Sequence, residues 1–575
     1  MQNAMINGAR MLLECLYRVG VTDMFGYPGG AVIPIYDELY TFNKINYYFS
    51  RHEQGAAHEA DGYARVTGKV GVCLATSGPG ATNLVTGIMT AHMDSIPMLA
   101  ITGQVKSNML GKDAFQETDI VGITVPITKM NYLVQDIKDI PRIIKEAYYI
   151  AGTGRPGPVL VDIPNDIQLQ EISYEEFNKL YEKEIKLEGY SPTYEGHLGQ
   201  VKKAIKLIKE AKKPLIIAGA GILKSGANQE LLEFAKKIDT PVTTTLLGLG
   251  GFSEEHELSL GMLGMHGTVA ANYATVETDL VIAAGIRFDD RITGNPNTFC
   301  PNAKFIHIDI DPAEIDKNVI VDVPIVGDLK NVLTMLIGEV KEKNNKEWVK
   351  QVKIWKKEYP FAHRKVEMDK LLPQEVLKEL NSILKGNAII ATDVGQHQMW
   401  AAQYLTYIKP NSIVSSGGAG TMGFGLPAAI GAQVGARDKK VVLIVGDGGF
   451  QMTFQELMLI KQYNLPVKVI IINNAYLGMV RQWQELFKDR RYSSVDLSIN
   501  PDFIKIAEAY GLRAERIENK KELKKKLKSL IESDEGVVID CIVEKEENVF
   551  PMVPAGTSVI QMMGKRGVLE DEQRA

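Results

Sequence analysis

The chain has 575 residues, 45% of them hydrophobic and 23% charged, with a net charge of −5. At roughly 150 residues per domain, this length holds three or four soluble globular domains. A small charge without a basic block argues against nucleic acid or an anionic membrane as partner, and no apolar run reaches the ~18–20 residues of a membrane span.

From the amino terminus, Ala9, Met11, Leu12, Leu13 and Leu16 fall at helical spacing, so no leader or transit peptide is expected. Short apolar runs then alternate with helix-like segments: 70–75, 98–102 and 159–163; 215–218, 242–246, 280–284 and 305–310; 388–392, 441–445, 467–472 and 537–543. This alternation predicts an α/β protein with mainly parallel sheets. Two charged stretches, 171–200 and 341–370, read as linkers and leave blocks near 1–180, 190–340 and 370–545. The first and third blocks are candidates for one shared fold. Lys520–Ile531 reads as a surface helix with a solvated lysine face. The tail 546–575 reads as an arm over a site or as a disordered end, and it finishes polar. Cys15, Cys73, Cys300 and Cys541 are scattered among apolar neighbours, which suits reduced thiols in the cytoplasm and no zinc site.

Two motifs in the third block carry chemistry. Gly446-Asp447-Gly448 follows one apolar run and Asn473-Asn474 follows the next, and open parallel sheets bind ligands at the carboxyl ends of their strands. A carboxylate and an amide oxygen are hard donors that suit Mg²⁺ held against phosphates, and the carbonyl of Tyr476 has the offset for a third ligand. Gly448 and Gly449 leave main chain bare for phosphate oxygens, and a helix expected to start near Gln451 adds its positive end. The bland reading is two strand-ending turns.

Other motifs are weaker alone. Stretch 51–60 sets Glu53 beside small apolar residues; a carboxyl in dry surroundings keeps its proton, as an acid donating to a ring nitrogen must. Without context the segment is ordinary helix polarity. Tyr27-Pro28-Gly29-Gly30 and Ser77-Gly78-Pro79-Gly80 are turns that bring bare backbone to a ligand or serve only as turns. Loop 416–425 holds five glycines around Met422, which suits a bound ring with Met422 beneath it, or a flexible loop. Ala218-Gly219-Ala220-Gly221 is a weak dinucleotide signal. Arg287-Phe288-Asp289-Asp290-Arg291 suits bidentate recognition of carboxylate or phosphate, or a surface ion-pair cluster.

Read in order with GYPGG, SGPGATN, KDAFQE, TGRPGPV, GMLGMHG, RFDDRITGN, VGQHQMWAAQ, GTMGFGLPAAIGA and NNAYLGMVRQWQ, the chain resembles the acetolactate synthase (acetohydroxyacid synthase) family of thiamine-diphosphate-dependent enzymes over nearly its whole length. GDG…NN marks the superfamily; RFDDRITGN and GMVRQWQ point to this family within it.

The resemblance implies three doubly wound parallel-sheet α/β domains: pyrimidine-binding (1–180), central FAD-binding (190–340) and diphosphate-binding (370–545), followed by a C-terminal arm (546–575). It implies thiamine diphosphate, Mg²⁺ and FAD as cofactors. Pyruvate is decarboxylated and its two-carbon unit condensed with pyruvate or 2-oxobutyrate, giving 2-acetolactate or 2-aceto-2-hydroxybutyrate at the first common step of branched-chain amino-acid biosynthesis.

In the implied site, Glu53 hydrogen-bonds the aminopyrimidine, Met422 enforces the cofactor's bend, and Gln116 and Gly30 lie near the reacting centre. Pro79, Asn83, Gln396, His397, Gly420, Gly446, Gly448, Gly449, Leu477 and Gly478 complete the thiamine diphosphate site, and Asp447, Asn474 and the Tyr476 carbonyl bind the metal. Arg287 takes the second acid's carboxylate. Trp483, Met265 and Phe115 shape its alkyl pocket, where one methylene is worth ~1–3 kcal/mol. FAD falls to Arg155, Gly219, Ala220, Gly221, Thr245, Leu246, His266, Gly267, Arg287, Asp309, Ile310 and Asp328. Each site joins Glu53 of one chain to the metal segment of another, so a homodimer or tetramer is expected, with a separate regulatory small subunit. One departure is Asn165, where relatives usually carry Lys. The alternatives are an FAD-linked pyruvate oxidase, a catabolic FAD-independent acetolactate synthase, and a non-catalytic protein on the same scaffold.

Overall fold

The structure, a computed structural model, describes residues 4–568. It contains three six-stranded parallel sheets with helices on their faces. The N-terminal sheet is ordered Asn46–Phe49, Asp23–Gly26, Gly71–Ala75, Met98–Gln104, Pro158–Pro164, Met130–Leu133. The C-terminal sheet is ordered Ile413–Val414, Ile389–Thr392, Val441–Gly446, Lys468–Asn473, Val537–Ile542, Arg513–Ile517. Counted in chain order within each sheet, both run 2-1-3-4-6-5, so the first and third blocks share one topology. The central sheet runs Ser259–Met262, Val242–Thr244, Pro214–Ala218, Leu280–Ala284, Lys304–Asp309, Val323–Val326, which is the order 3-2-1-4-5-6. That order opens a crevice beside its first and fourth strands, where such sheets take dinucleotides.

Every apolar run read from the sequence lies on a strand. The interior strands are buried on both faces, as Val441–Gly446 is throughout, so they read as unbroken apolar runs. The strands missed are the six edges of these sheets, the four-residue Asp23–Gly26, and the small antiparallel pair Met5–Asn7 and Glu171–Ser173. An edge has less to cover it; Arg513–Ile517 and Met130–Leu133 are largely half-exposed and carry polar residues.

Both expected linkers are structured. Stretch 171–200 holds strand Glu171–Ser173, paired antiparallel with Met5–Asn7, and helix Tyr174–Glu182 with Phe177 buried. Stretch 341–370 holds helix Lys346–Glu358, whose Trp348, Val349 and Val352 are buried and whose Trp348 Nε1 donates to the Pro214 carbonyl at 2.9 Å. A narrow apolar stripe on a lysine-rich helix was hidden by its charge. Helix Lys520–Ile531 stands as expected, burying Leu523, Leu527, Leu530 and Ile531. The tail is packed where described: Val549, Met552 and Val553 are buried, and Val553 N donates to the Met265 carbonyl at 2.8 Å. Its polar end, 569–575, lies outside the described residues. Among the described residues all four cysteines are buried and unpaired, and no helix is long and apolar enough to cross a membrane.

The N- and C-terminal domains meet where helix Glu53–Thr67 crosses helix Gly425–Gly435, and one buried core runs through both. Alanines line the crossing, and two glycines touch backbone: a Cβ on Gly62 would collide with the Ala428 carbonyl, and one on Gly431 with the Glu59 carbonyl. Gly431→Ala is therefore expected to destabilise the protein by at least the ~1–3 kcal/mol of an overpacked core, read as a lowered urea midpoint. An unchanged midpoint would mean that the crossing yields freely.

Candidate active site

The carboxyl ends of the central and C-terminal sheets face one cavity of about 860 Å³. Asp447 sits where strand Val441–Gly446 ends and opens helix Asp447–Thr453. That helix starts at Asp447 itself, not near Gln451, so its positive end lies at the carboxylate. Burial pushes the Asp447 carboxyl up to about 7. Its Oδ2 accepts from Asn500 Nδ2 at 2.7 Å, while Oδ1 is buried with no partner.

Asn474, past the end of strand Lys468–Asn473, donates to Gln396 Oε1 at 3.2 Å and accepts from Tyr476 N at 3.2 Å. Between them Ala475 is left-handed, at φ 55°. Such strain persists only where surrounding structure enforces it, and here it folds Tyr476 back on Asn474. An unpartnered buried carboxylate oxygen in a cavity that also presents amide and carbonyl oxygens fits a hard divalent cation. His397 is held neutral, its pKa pushed down to about 3 by burial, and its Nε2 also lacks a partner. A neutral imidazole nitrogen in this cavity fits a phosphate oxygen.

Gln396, His397, Gly420, Met422, Gly446, Gly448, Gly449, Leu477 and Gly478 all line the cavity with Asp447, Asn474 and Tyr476. The space a Cβ would need at Gly448 and Gly449 is taken by Leu477 and Asp393. Asp393 was missed from the sequence, although it ends strand Ile389–Thr392 just as Asp447 ends its own. Its buried carboxyl, pushed up to about 6, accepts from Val394 N at 2.8 Å, Gly423 N at 3.1 Å and Gly425 N at 2.8 Å. Asp94 does the same at the other end of the glycine loop, accepting from Gly417 N at 3.1 Å and Gly418 N at 2.7 Å. Met422 is thus carried on a loop held by carboxylates from two domains.

The central domain contributes Gly219, Ala220, Gly221, Thr245, Leu246, Met265, His266, Arg287, Asp309, Ile310 and Asp328 to the lining, joined by Arg155 and Trp483. Gly219 and Gly221 are pressed against Gly285, whose backbone a Cβ on Gly219 would strike; close strand-end packing explains these glycines. Gly267 does not line the cavity and packs on the backbone of Met262 and Leu263. The dense 287–291 cluster divides. Arg291 and Asp290 form an exposed pair at 3.7 Å. Arg287 faces the cavity, makes no ion pair among the described residues, and is followed by left-handed Phe288 at φ 52°. Arg155 is already engaged, with Asp311 at 3.0 Å and Glu314 at 2.6 Å. Asp309 and Asp328, acids at strand ends, suit ribose hydroxyls.

The remaining expected residues form a second group on the N-terminal domain, and none of them lines the cavity. Glu53 opens its helix and accepts from Asn83 Nδ2 at 3.0 Å. A Cβ on Gly80, beside Pro79, would lie 3.2 Å from Glu53 Oε1, and one on Gly78 would lie 2.8 Å from the carbonyl of left-handed Gln116. Gly30 is exposed, and Phe115 is 89% exposed. One chain therefore carries two half-sets of the expected site, apart from each other.

Three domains of the thiamine pyrophosphate enzyme family match the chain: the N-terminal TPP binding domain at residues 6–123, the central domain at 201–336 and the C-terminal TPP binding domain at 393–541. The acetolactate synthase large subunit of Cyanidium caldarium is 49% identical, with 98% of each chain covered. The probable acetolactate synthase large subunit of Methanococcus aeolicus is 49% identical over 97% of this chain and 95% of that one. The acetolactate synthase large subunit of Lactococcus lactis is 47% identical over 99% and 98%.

Asp393→Ala leaves two buried glycine N–H groups without their acceptor, each worth ~1–3 kcal/mol. The expected result is faster amide exchange at Gly423 and Gly425 in a protein that still folds. Unchanged protection would show that Asp393 does not hold the loop.

Proposed function

The chain belongs to the thiamine pyrophosphate enzymes and, within them, to the acetolactate synthase large subunits, and from that premise we propose how its residues divide the work. The activity is that of an acetolactate synthase: pyruvate loses CO₂ and its two-carbon unit joins a second 2-oxo acid, pyruvate or 2-oxobutyrate. Bound thiamine diphosphate would supply the nucleophilic carbon for the first half-reaction and the electron sink that lets the two-carbon unit act as nucleophile in the second. The observation that carries the assignment of the site is the unpartnered, buried Oδ1 of Asp447 in a cavity shared with Asn474 and Tyr476. These three would hold Mg²⁺, and Gln396 and His397 the diphosphate.

Glu53 would hold a proton at the aminopyrimidine nitrogen, steadied by Asn83, with Gly30, Pro79 and Gln116 beside it. Met422 would support the bent cofactor from the glycine loop. Arg287, with no competing ion pair among the described residues, would take the carboxylate of the second 2-oxo acid, and Trp483, Met265 and Phe115 would bound its alkyl group. Since Glu53 and Asp447 lie on separate half-sets, a homodimer that joins the two is the minimum unit, and a tetramer or a separate regulatory subunit is compatible with it. The strand order of the central sheet and the acids at its strand ends support FAD between Arg155 and Asp328. Unpaired cysteines support a cytoplasmic setting.

Incubation with pyruvate, thiamine diphosphate and Mg²⁺ is expected to yield 2-acetolactate, and added 2-oxobutyrate to divert product to 2-aceto-2-hydroxybutyrate. Pyruvate consumption with oxygen uptake and no acetolactate would overturn the reading. Glu53→Gln should lower kcat by ~10²–10⁴, the range of lost acid–base catalysis, with thiamine diphosphate affinity preserved. Turnover near the parent's would remove Glu53 from that role.

A further inference from the structure

Outside the cavity, two buried acids meet where the N- and C-terminal domains join. Glu59 lies six residues beyond Glu53 on the same helix (59 − 53), and Glu456 ends the short turn Phe454–Glu456 that follows the helix opened by Asp447. Both side chains are fully buried. Glu456 Oε2 accepts from Arg51 N at 2.9 Å, and its carboxyl occupies the space a Cβ would need at Gly55. It is therefore seated on the first turn of the helix that carries Glu53. Its neighbours grip the same stretch: Tyr463 accepts from Phe49 N at 2.8 Å, and Gln462 from Arg51 Nη2 at 2.7 Å. Glu59 Oε2 accepts from Ser50 Oγ at 2.6 Å. The Oε1 atoms of both acids are buried without a donor, and the two carboxyls lie near enough to share a hydrogen bond. Two carboxylates in one dry site do not both ionise. A single proton held between the two carboxyls would relieve both.

We propose that Glu456 and Glu59 share one proton, and that Glu456, held in this way, is a positioning residue that fixes the helix start and with it Glu53. The proposal rests on Glu53 being the activating acid. The pair is faced by the Arg51 cation, which favours charge, and by Tyr47, Tyr463 and Cys73, all near enough to feel Glu59 and all kept neutral by burial. Burial raises both acids, Glu456 to about 7. A raised acid stabilises the fold below its ordinary value, and that contribution is lost as pH climbs through the raised one. As pH climbs through the raised values of the pair the last proton leaves, like charges face each other, and the first turn is pushed from its seat. The kcat profile then carries an alkaline limb that originates away from the reacting atoms.

The test uses full-length holoenzyme. Infrared spectra of protein labelled with ¹³C-carboxyl glutamate should show, at neutral pH, a protonated-carboxyl band that Glu456→Gln removes; no such difference overturns the shared proton. Glu456→Ala should lower kcat by about tenfold or more, a factor worth ~1.4 kcal/mol, with KM for pyruvate and thiamine diphosphate affinity nearly unmoved. Glu456→Gln, which has the shape of the protonated acid, should recover most of that loss and flatten the alkaline limb. Parental kcat in the Ala variant, or an intact alkaline limb in the Gln variant, overturns the positioning role. Failure of the Glu53 reading is separable, because it appears as activity in Glu53→Gln, while the infrared band requires no turnover.

Discussion

The crossing of helices Glu53–Thr67 and Gly425–Gly435 is the constraint on which the site depends. Backbone meets backbone at Gly62 and Gly431, so the two helices, and the two domains they belong to, have one relative position. The first helix then acts as a ruler. Glu53 stands at its start and Arg65 in its last turn, twelve residues on (65 − 53), which at 1.5 Å per residue is about 18 Å. Arg65 is buried in ion pairs with Asp61 at 2.5 Å and Asp94 at 2.8 Å, and donates to the Ser415 carbonyl at 2.8 Å. The far end of the helix therefore grips the loop that carries Met422, while the near end presents Glu53 away from the cavity.

Glycine-rich loops have no side chains of their own with which to be held, and this protein holds them with buried acids. Asp393 and Asp94 take four glycine N–H groups between them. Burying a carboxylate is costly unless its oxygens are hydrogen-bonded, and each loop amide that binds one offsets that cost while losing its own freedom. Asp447 differs in keeping one buried oxygen without a partner. Asp393 and Asp94, by contrast, spend their oxygens on the loop amides.

Legibility in the sequence followed the physics of burial. Interior strands such as Lys468–Asn473 are apolar on both faces and were readable; edge strands such as Ile413–Val414 are short or half-wet and were not. Helix Lys346–Glu358 was lost because three buried residues sat among lysines. Asp447, Asn474 and Met422 were readable because local motifs mark strand ends and glycine loops. Asp393 and Asp94 hold glycine amides, Asn500 a carboxylate and Glu456 a backbone N–H that lie 30 or more positions away (423 − 393 for the nearest), and no local pattern announces such a contact. Sequence spacing also could not reveal that the site residues fall into two separate half-sets, since that follows from how the helices cross.

Charge sorts the ligands that one cavity must receive. Arg155 and Arg287 both line its central-domain side, yet their surroundings differ. Arg155 is paired with Asp311 and Glu314 and anchored by Ser95 at 2.8 Å, so its charge is already balanced, and what it presents is shape and orientation. Arg287 makes no ion pair among the described residues and lies against the glycine loop, 3.0 Å from where a Gly418 Cβ would be. An incoming carboxylate gains most from the guanidinium that has no other partner. On the proposed assignment a diphosphate would be drawn instead to the Asp447 end, where neutral His397 offers a donor without adding charge of its own. On the proposed assignment, the unpaired Arg287 beside the glycine loop would draw a small anionic substrate away from the end that takes the anionic cofactor.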